Sequence, residues 1–216
     1  MGRAAKGPPV SEHMSPSEGV CPVIGLLGGI AAGKTTVARM FGDLGARVVS
    51  ADPIGHAVLA DPGVRDRIVA RWGRGVLDPA GNVDRARLAH RAFGDPEELA
   101  ALEAITHPAI LVEMQRQIAD ARNAGVPAIV LDAPLLMEVQ FDSLCDLLVF
   151  VDCPAEVRQA RAVRRGWDPA EIARRERRQQ PLDAKRARSR FVIDGHAPLE
   201  TTFQQVQELW QETLAR

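Results

Sequence analysis

The chain has 216 residues, of which 46% are hydrophobic and 25% are charged, and its formal net charge at pH 7 is -1. This composition is typical of a globular protein with one sizeable core, and it argues against global attraction to nucleic acid or an anionic membrane surface. The three cysteines have no metal-ligand spacing and are interpreted as buried thiols. Because no apolar run resembles a membrane span or a signal peptide, we expect a cytoplasmic protein.

Short apolar runs alternate with helical patterns along most of the chain. Residues 1–20 are rich in Pro, Gly and Ser and predict a disordered tail, followed by one folded domain over residues 21–216. The alternation predicts an α/β fold with three layers, in which helices cover both faces of a parallel five-stranded sheet. The predicted strands are Cys21–Leu27, Ala46–Ser50, Pro127–Leu131, Asp146–Val151 and Arg190–Ile193.

Two helical segments are expected to interrupt this core, which comprises residues 21–52, 126–154 and 188–216. Residues 53–125 contain no convincing strand, so they predict a helical insert beside the carboxyl end of the sheet. Residues 155–187 predict a smaller helical excursion after the fourth strand. The helices predicted before and within the insert are Lys34–Leu44, Val64–Trp72, Asp84–Phe93, Pro96–Ile105 and Pro108–Ala124.

The loop after the first predicted strand matches a phosphate-binding pattern. Its sequence GGIAAGKT, from Gly28 to Thr35, fits G-x-x-x-x-G-K-[ST], with a strand before it and a helix after it. Glycines let successive N–H groups face phosphate oxygens, and the helix N-terminus adds partial positive charge. Lys34 would bind the β- and γ-phosphates, and the Thr35 hydroxyl would bind Mg²⁺. The predicted nucleotide-binding residues are Gly28, Gly29, Ile30, Ala31, Ala32, Gly33, Lys34, Thr35 and Thr36.

Three aspartates follow predicted strands, where the ligand crevice of an open α/β sheet lies. Asp52 follows the second strand and is interpreted as a base that accepts a proton from an attacking hydroxyl; the alternative is a helix N-cap. Asp132 follows the third strand, in the usual position of an aspartate that binds Mg²⁺ through water. Asp152 follows the fourth strand and is interpreted as a helix cap. Hydrolysis, transfer and sensing all stay open at this point.

The segment after the fourth strand is strongly basic, with twelve basic and five acidic residues between positions 155 and 190. Such a run is usually a solvated surface, but beside a triphosphate its arginines can stabilise the transferring charge and exclude water. Arg158, Arg161 and Arg165 share one helix face, and we predict catalytic roles for Arg161 and Arg165. The segment has one aromatic residue, Trp167, and therefore offers little stacking surface to nucleic acid.

Six segments of the chain resemble the dephospho-CoA kinase family, in the same order and at the same intervals. They are GLLGGIAAGKTT, VVSADPIGHAVL, NVDRARLAHRAF, LEAITHPAI, IVLDAPLLMEVQFD and the stretch from Gln180 to Asp194. The resemblance implies a P-loop, nucleotide-kinase-like fold that transfers the γ-phosphoryl group of ATP to the ribose 3′-hydroxyl of 3′-dephospho-CoA, the last step of coenzyme A synthesis. It also implies that residues 53–125 bind the acceptor, that residues 155–187 form a lid, and that Asp52 deprotonates the acceptor hydroxyl.

The resemblance also implies which residues bind the acceptor. Taken alone, His107 is more often a capping or buried histidine, and Arg85 is equally consistent with pairing to Asp84 on a helix surface. The residues implied for the acceptor site are Asp52, His56, Arg85, His107 and Glu138.

The chain departs from the usual family pattern at several positions. It has Ala31-Ala32 where Gly-Ser is usual and Ser50 where an aspartate is common. It also has Ser189-Arg190 where Ala-Asp is common, and Gly195 where asparagine often follows the last strand. The alanines should be tolerated if neither needs a positive φ. Ser50 leaves Asp52 as the candidate base of that segment.

We therefore expect a phosphotransferase that uses ATP and Mg²⁺ and acts on a small molecule, not on nucleic acid or a membrane. One alternative is another nucleotide or small-metabolite kinase on the same core. A second is a switch module in which ATP orders the lid for a partner protein. The helical insert discriminates between them, because a kinase needs an acceptor pocket that faces the phosphates.

Overall fold

The computed structural model describes residues 21–215, so the tail predicted over residues 1–20 lies outside the described residues. Its strands are β1 (Val23–Leu27), β2 (Arg47–Ser50), β3 (Ile129–Asp132), β4 (Leu147–Asp152) and β5 (Phe191–Asp194). They form one parallel sheet in the order β2-β3-β1-β4-β5, which confirms the predicted five-stranded sheet. Ile24 of β1 pairs with Val130 on one side and with Leu147 on the other, so β1 is the central strand.

Helices cover both faces of the sheet, which confirms the three-layer prediction. They are α1 (Lys34–Asp43), α2 (Ala51–Ala57), α3 (Pro62–Trp72), α4 (Arg85–Ala92), α5 (Pro96–Asn123), α6 (Ala155–Arg164), α7 (Pro169–Glu176), α8 (Leu182–Arg188) and α9 (Leu199–Leu214). On one face, α1 and α9 meet where the rings of Phe41 and Trp210 lie 6.2 Å apart. On the other face, α5 buries Met114 against the sheet. Residues of β1 alternate between the two cores, as Ile24 and Val23 illustrate.

Residues at the strand ends differ from the prediction in small ways. Cys21 and Asp146 lie just outside β1 and β4, and the Asp146 carboxylate accepts a hydrogen bond of 2.7 Å from the Val23 N–H.

Cys153 is buried, whereas Cys21 and Cys145 are partly exposed, and all three are free thiols. The prediction of three buried thiols is therefore correct for one of them.

The helical insert has a small core of its own. The side chains of Val64 and Ile68 on α3 and Leu88 on α4 are buried against the first half of α5. At the end of α3, the Trp72 indole N–H donates to the Glu98 carboxylate of α5 at 2.6 Å. As predicted, residues 53–125, all of which the structure describes, contain no strand.

One long helix replaces the two that the sequence predicts around Pro108. A break was expected because proline lacks a backbone donor and disfavours helix in the preceding residue. Instead α5 continues through Pro108 for 28 residues, with its first half packed in the insert and its second half on the sheet. The Arg67 guanidinium donates to the carbonyl oxygen of Ile105 at 3.2 Å, beside the interrupted hydrogen bonds. Packing on both sides thus outweighs a cost of about 3 kcal/mol.

The basic segment after β4 folds into α6, α7 and α8. Ala162 and Ile172 pack against Ala31 of the phosphate loop, so this segment contacts the loop directly. The predicted cap at Asp152 is wrong: α6 begins after Pro154, and the Asp152 carboxylate instead accepts from Arg186 on α8 at 2.6 Å.

Among the described residues, no helix combines the length and apolar character needed to cross a membrane.

Candidate active site

The phosphate loop, residues 28–33, connects β1 to α1 at the carboxyl end of the sheet. Gly28 has a φ of 146°, and a Cβ atom there would lie 2.6 Å from a carbonyl oxygen of β4, so the position requires glycine. Gly33 has a φ of 110° where α1 begins. The Lys34 ammonium donates to the carbonyl oxygens of Gly28 at 3.0 Å and Gly29 at 2.9 Å. The backbone conformation and the placement of the ammonium fit the predicted phosphate site.

The Lys34 ammonium is easier to deprotonate than an ordinary lysine. The pKa of Lys34 is lowered to about 8, chiefly by burial and next by the positive charge of Lys185. The carboxylates of Asp132 and Glu138 act in the opposite direction, and the positive charge of Arg158 adds slightly to the decrease. Phosphate oxygens bind the protonated form, so nucleotide binding and the charge of Lys34 are linked.

We expect the affinity for ATP to fall as the pH rises above 8, because unliganded enzyme then loses the Lys34 proton that phosphate binding requires. The dissociation constant of ATP should be roughly tenfold higher at about pH 9 than at about pH 7.5. Calorimetric titration across this range measures it. The Lys34→Met variant is the control, since its affinity should be nearly independent of pH; a flat profile for the unmodified protein would contradict the assignment.

Thr35 and Asp132 place two oxygen-bearing side chains in the same cavity as Lys34. Asp132 ends β3, which is next to β1 in the sheet, and its side chain is buried. Burial raises the pKa of the Asp132 carboxyl group, while a hydrogen bond from Thr35 and the charge of Lys34 oppose this rise. Among the described residues, no group of three His, Cys, Asp or Glu side chains could hold a metal ion. A cation at this pair would therefore need phosphate or water oxygens as further ligands.

A cavity of about 390 Å³ lies over the phosphate loop, and we call it the donor cavity. Its floor consists of the loop, Thr35 and Asp132, and its far wall comes from the basic segment. Arg165 lines it as the sequence predicts, but Arg161 does not: the Arg161 guanidinium donates to the Ala32 carbonyl oxygen at 3.2 Å and contacts Cys153. The lining residues that the sequence analysis did not assign to the site are Pro134, Leu135, Trp167, Arg175, Arg178 and Gln179.

A second cavity of about 390 Å³ lies between the insert and the sheet, and we call it the acceptor cavity. It is mostly apolar, with Leu88, Phe93 and Phe141 in its wall. Of the residues that the family resemblance implies, those that line it are Asp52, His56, Arg85 and His107. The kinase hypothesis requires a cavity of this kind beside the phosphate loop, whereas the switch hypothesis does not.

Asp52 lines both cavities, and it lies in the first turn of α2. It is not an N-cap, because Ser50 occupies that position and makes no side-chain cap bond. The strand before it, β2, is separated from β1 by β3, so it does not lie directly beside the phosphate loop. The position of Asp52 therefore depends on α2, not on β2. Its exposed side chain lies at the boundary between the donor cavity and the acceptor cavity.

Three further residues at the acceptor cavity have resolved contacts. The Arg85 guanidinium lies 2.6 Å from His56 Nε2, whereas Asp84 caps α4 and pairs with Arg87. The alternative interpretation of Arg85, an ion pair with Asp84 on the helix surface, is therefore wrong. The His107 ring packs edge-on against Phe141, and burial lowers the pKa of His107, so a neutral ring is favoured near pH 7.

Glu138 lies outside the acceptor cavity, contrary to the implied acceptor contact. Its carboxylate accepts from the Lys185 ammonium at 2.7 Å and from the Gln180 N–H at 2.8 Å. Lys185 is fully buried, so the pair joins α8 to the turn after β3 inside the protein. The physical reason for the difference is that a buried ammonium needs a carboxylate partner, and Glu138 supplies it.

The family model for dephospho-CoA kinase matches residues 22–200 of the chain. The chain belongs to the dephospho-CoA kinase family. A dephospho-CoA kinase of Corynebacterium diphtheriae is 43% identical over 192 residues, which are 88% of this chain and 96% of that protein. Another, of Symbiobacterium thermophilum, is 41% identical over 191 residues, which are 88% of this chain and 80% of that protein.

Solved structures show the same fold. TT1252 from Thermus thermophilus has a TM-score of 0.74 and 29% identity, covering 91% of this chain and 97% of that one. The dephospho-CoA kinase from Campylobacter jejuni has a TM-score of 0.64 and 22% identity, covering 88% and 96%. Shikimate kinase from Acinetobacter baumannii in complex with shikimate has a TM-score of 0.52 and 15% identity, covering 90% and 94%. The last two are similar in fold alone.

Two departures from the usual pattern of the dephospho-CoA kinase family have structural consequences. Ala31 has a φ of 57°, so the condition for tolerating an alanine without strain is not met at this position. The left-handed conformation costs an L-residue about 1–2 kcal/mol. At Gly195, a Cβ atom would lie 2.5 Å from the Ala32 carbonyl oxygen, so the larger asparagine does not fit this backbone.

We expect glycine to be better tolerated at Ala31 than at Ala32. Both methyl groups are buried, but Ala31 alone of the two has a positive φ, so only Ala31→Gly relieves strain. The free energy of unfolding should fall by about 1 kcal/mol more in Ala32→Gly than in Ala31→Gly. Urea denaturation of both variants measures this difference, and equal losses would contradict the strain at Ala31.

Proposed function

We propose that this member of the dephospho-CoA kinase family transfers the γ-phosphoryl group of ATP to the ribose 3′-hydroxyl of 3′-dephospho-CoA, yielding coenzyme A and ADP. The family assignment supports the substrates. The observation that carries the mechanism is the position of Asp52, which lines both the donor cavity and the acceptor cavity. A carboxylate at that boundary can accept the proton of a hydroxyl that attacks the γ-phosphorus.

In the proposed reaction, the chain holds the phosphates and removes one proton. The N–H groups of the phosphate loop and the Lys34 ammonium bind the triphosphate, and Arg165, Arg175 and Arg178 approach it from the lid side of the donor cavity. Asp52 takes the proton of the 3′-hydroxyl as the oxygen–phosphorus bond forms. The bond from the γ-phosphorus to the bridging oxygen breaks, and ADP leaves with that oxygen.

Mg²⁺ is the proposed metal, held by Thr35 and Asp132. The Thr35 hydroxyl and the buried Asp132 carboxylate offer hard oxygen ligands beside the phosphate loop, and both residues line the donor cavity. When bound, the metal would neutralise charge on the β- and γ-phosphates. Arg161 has a supporting role in this proposal, because it binds the Ala32 carbonyl oxygen of the loop.

The acceptor is proposed to lie between α2, α4 and α5. Arg85 and His56 present nitrogen donors for its anionic groups, and the apolar wall that includes Phe93 accommodates uncharged parts. His107, neutral near pH 7, would contact the substrate without adding charge. The cytoplasmic location and the lack of nucleic-acid or membrane partners stay predictions from the sequence.

An acceptor panel tests the proposed function. ADP release is measured with ATP, Mg²⁺ and, in turn, 3′-dephospho-CoA, AMP, adenosine and shikimate. We expect 3′-dephospho-CoA to stimulate turnover by orders of magnitude over the hydrolysis measured without acceptor. Stimulation by one of the other acceptors alone would assign the chain to another kinase activity. ATP binding without any stimulation would instead favour a switch module.

A further inference from the structure

The Arg158 side chain lies beneath the phosphate loop and touches neither cavity. It is on α6, it is buried, and its Nε donates to the Cys153 carbonyl oxygen at 3.3 Å. Its Nη1 lies 3.5 Å from the carbonyl oxygen of Ile30. A Cβ atom built on Gly29 would be 2.8 Å from the same Nη1, so the guanidinium lies directly against the loop backbone. Arg158 thus contacts the loop backbone without lining the donor cavity.

The Arg158 guanidinium forms an ion pair with a residue of α7, in the lid segment. Its Nη1 donates to the carboxylate of Glu176, the last residue of α7, at 2.8 Å. Arg175, the preceding residue, and Arg178, two residues later, both line the donor cavity. The ion pair therefore lies between the loop that would hold the phosphates and the segment whose arginines face them.

Arg158 and Glu176 differ in how much of the side chain is exposed to solvent, so substitutions of the two residues have different consequences for the fold. The Arg158 side chain is 9% exposed, whereas the Glu176 side chain is 37% exposed. A buried guanidinium without its carboxylate is costly, so the arrangement in which Glu176 pairs with Arg158 is favoured. Removing the carboxylate would leave the loop contacts of Arg158 and the packing of Ile172 in place but would remove the ion pair that ties the end of α7 to the loop.

We propose that the Arg158–Glu176 ion pair is a positioning device that couples the phosphate loop to α7 and so directs Arg175 and Arg178 toward the phosphates. Neither partner is assigned a catalytic role, because neither lines the donor cavity or the acceptor cavity. The pair acts on the transfer step through the lid arginines and has no contact with the acceptor cavity. This inference rests on the proposed kinase reaction.

Steady-state kinetics of Glu176→Ala, with ATP and 3′-dephospho-CoA varied separately, tests the coupling. We expect kcat to fall at least tenfold and the KM for ATP to rise, while the KM for the acceptor stays within twofold. Glu176→Gln, which keeps an acceptor oxygen without the charge, should recover part of the loss. The control is Arg164→Gln, which removes an exposed charge of α6 that lines neither cavity and should leave kcat unchanged.

A double-mutant cycle separates positioning from simple stabilisation. Because the two side chains act as a pair, Arg158→Met combined with Glu176→Ala should lose no more kcat than the worse single variant. If Arg158→Met does not fold, Arg158→Lys replaces it in the cycle. Losses that multiply, a kcat of Glu176→Ala within twofold of the unmodified protein, or an equal change in the acceptor KM would each overturn the inference. Turnover of the unmodified protein in the same assay distinguishes these outcomes from failure of the proposed function.

Discussion

Asp52→Asn should lower kcat for phosphoryl transfer by roughly 10²–10⁴-fold, the usual contribution of a positioned general base. Asparagine is the same size as aspartate but cannot take the hydroxyl proton. Since Asp52 is exposed and makes no cap bond, the fold should be unaffected. The dissociation constant of ATP should stay within about threefold, because the loop and Lys34 hold the phosphates. Rapid-quench measurement of the transfer step, with ATP titrated separately, provides both numbers.

A matched aspartate in the insert provides the control for this variant. Asp66 on α3 is exposed, pairs with Arg65 at the surface and lines neither cavity. Asp66→Asn should therefore keep kcat and both KM values. If Asp52→Asn turned over at a rate close to that of Asp66→Asn, the assignment of Asp52 as the base would be wrong.

Lys34→Met should lose both nucleotide affinity and turnover. Methionine fills similar space but carries no charge for the β- and γ-phosphates, and removal of one such charge typically costs about 10²–10³-fold in kcat. Calorimetry should show a higher dissociation constant for ATP, and the ADP-release assay should show the lower kcat. This combined loss distinguishes Lys34 from Asp52, whose substitution should leave binding nearly unchanged.

Restoring a positive charge in a different shape checks the geometry of the Lys34 site. The ammonium fits between the carbonyl oxygens of Gly28 and Gly29, at 3.0 and 2.9 Å. A planar guanidinium is wider, so Lys34→Arg should not recover the activity lost in Lys34→Met. Near-normal turnover of Lys34→Arg would show that charge alone suffices.

The sheet was predictable because each strand is a short apolar run that is separated from the next by a helical pattern. The helix break at Pro108 was predicted wrongly, because local backbone rules do not include packing from two directions. The first half of α5 is held by the core of the insert and the second half by the sheet. Only the assembled fold shows that a proline at this position is held on both sides.

The donor side was predictable to the extent that its residues are contiguous. Eight of the nine predicted residues, Gly28 to Thr35, follow one linear pattern, and the structure places the loop after the central strand at the carboxyl end of the sheet. The lid segment, however, contains a basic run made of Arg174, Arg175, Arg177 and Arg178. Nothing in the spacing of these arginines indicates which of them face the donor cavity. Arg158 was placed on the correct helix face, but its burial depends on a carboxylate 18 residues away. The positive φ of Ala31 could not be predicted either, because neither composition nor hydrophobic periodicity reports on the backbone conformation of a single loop residue.

The three tryptophans of the chain lie one in each region of the fold. Trp210 packs on Phe41 in the core, Trp72 is bound to Glu98 in the insert, and Trp167 lies under the Arg175 guanidinium at 4.3 Å in the lid. Variants that retain a single indole would therefore report separately, by intrinsic fluorescence, on melting of the core, of the insert and of the lid. The native sequence already contains a local optical probe for each region, without any attached dye.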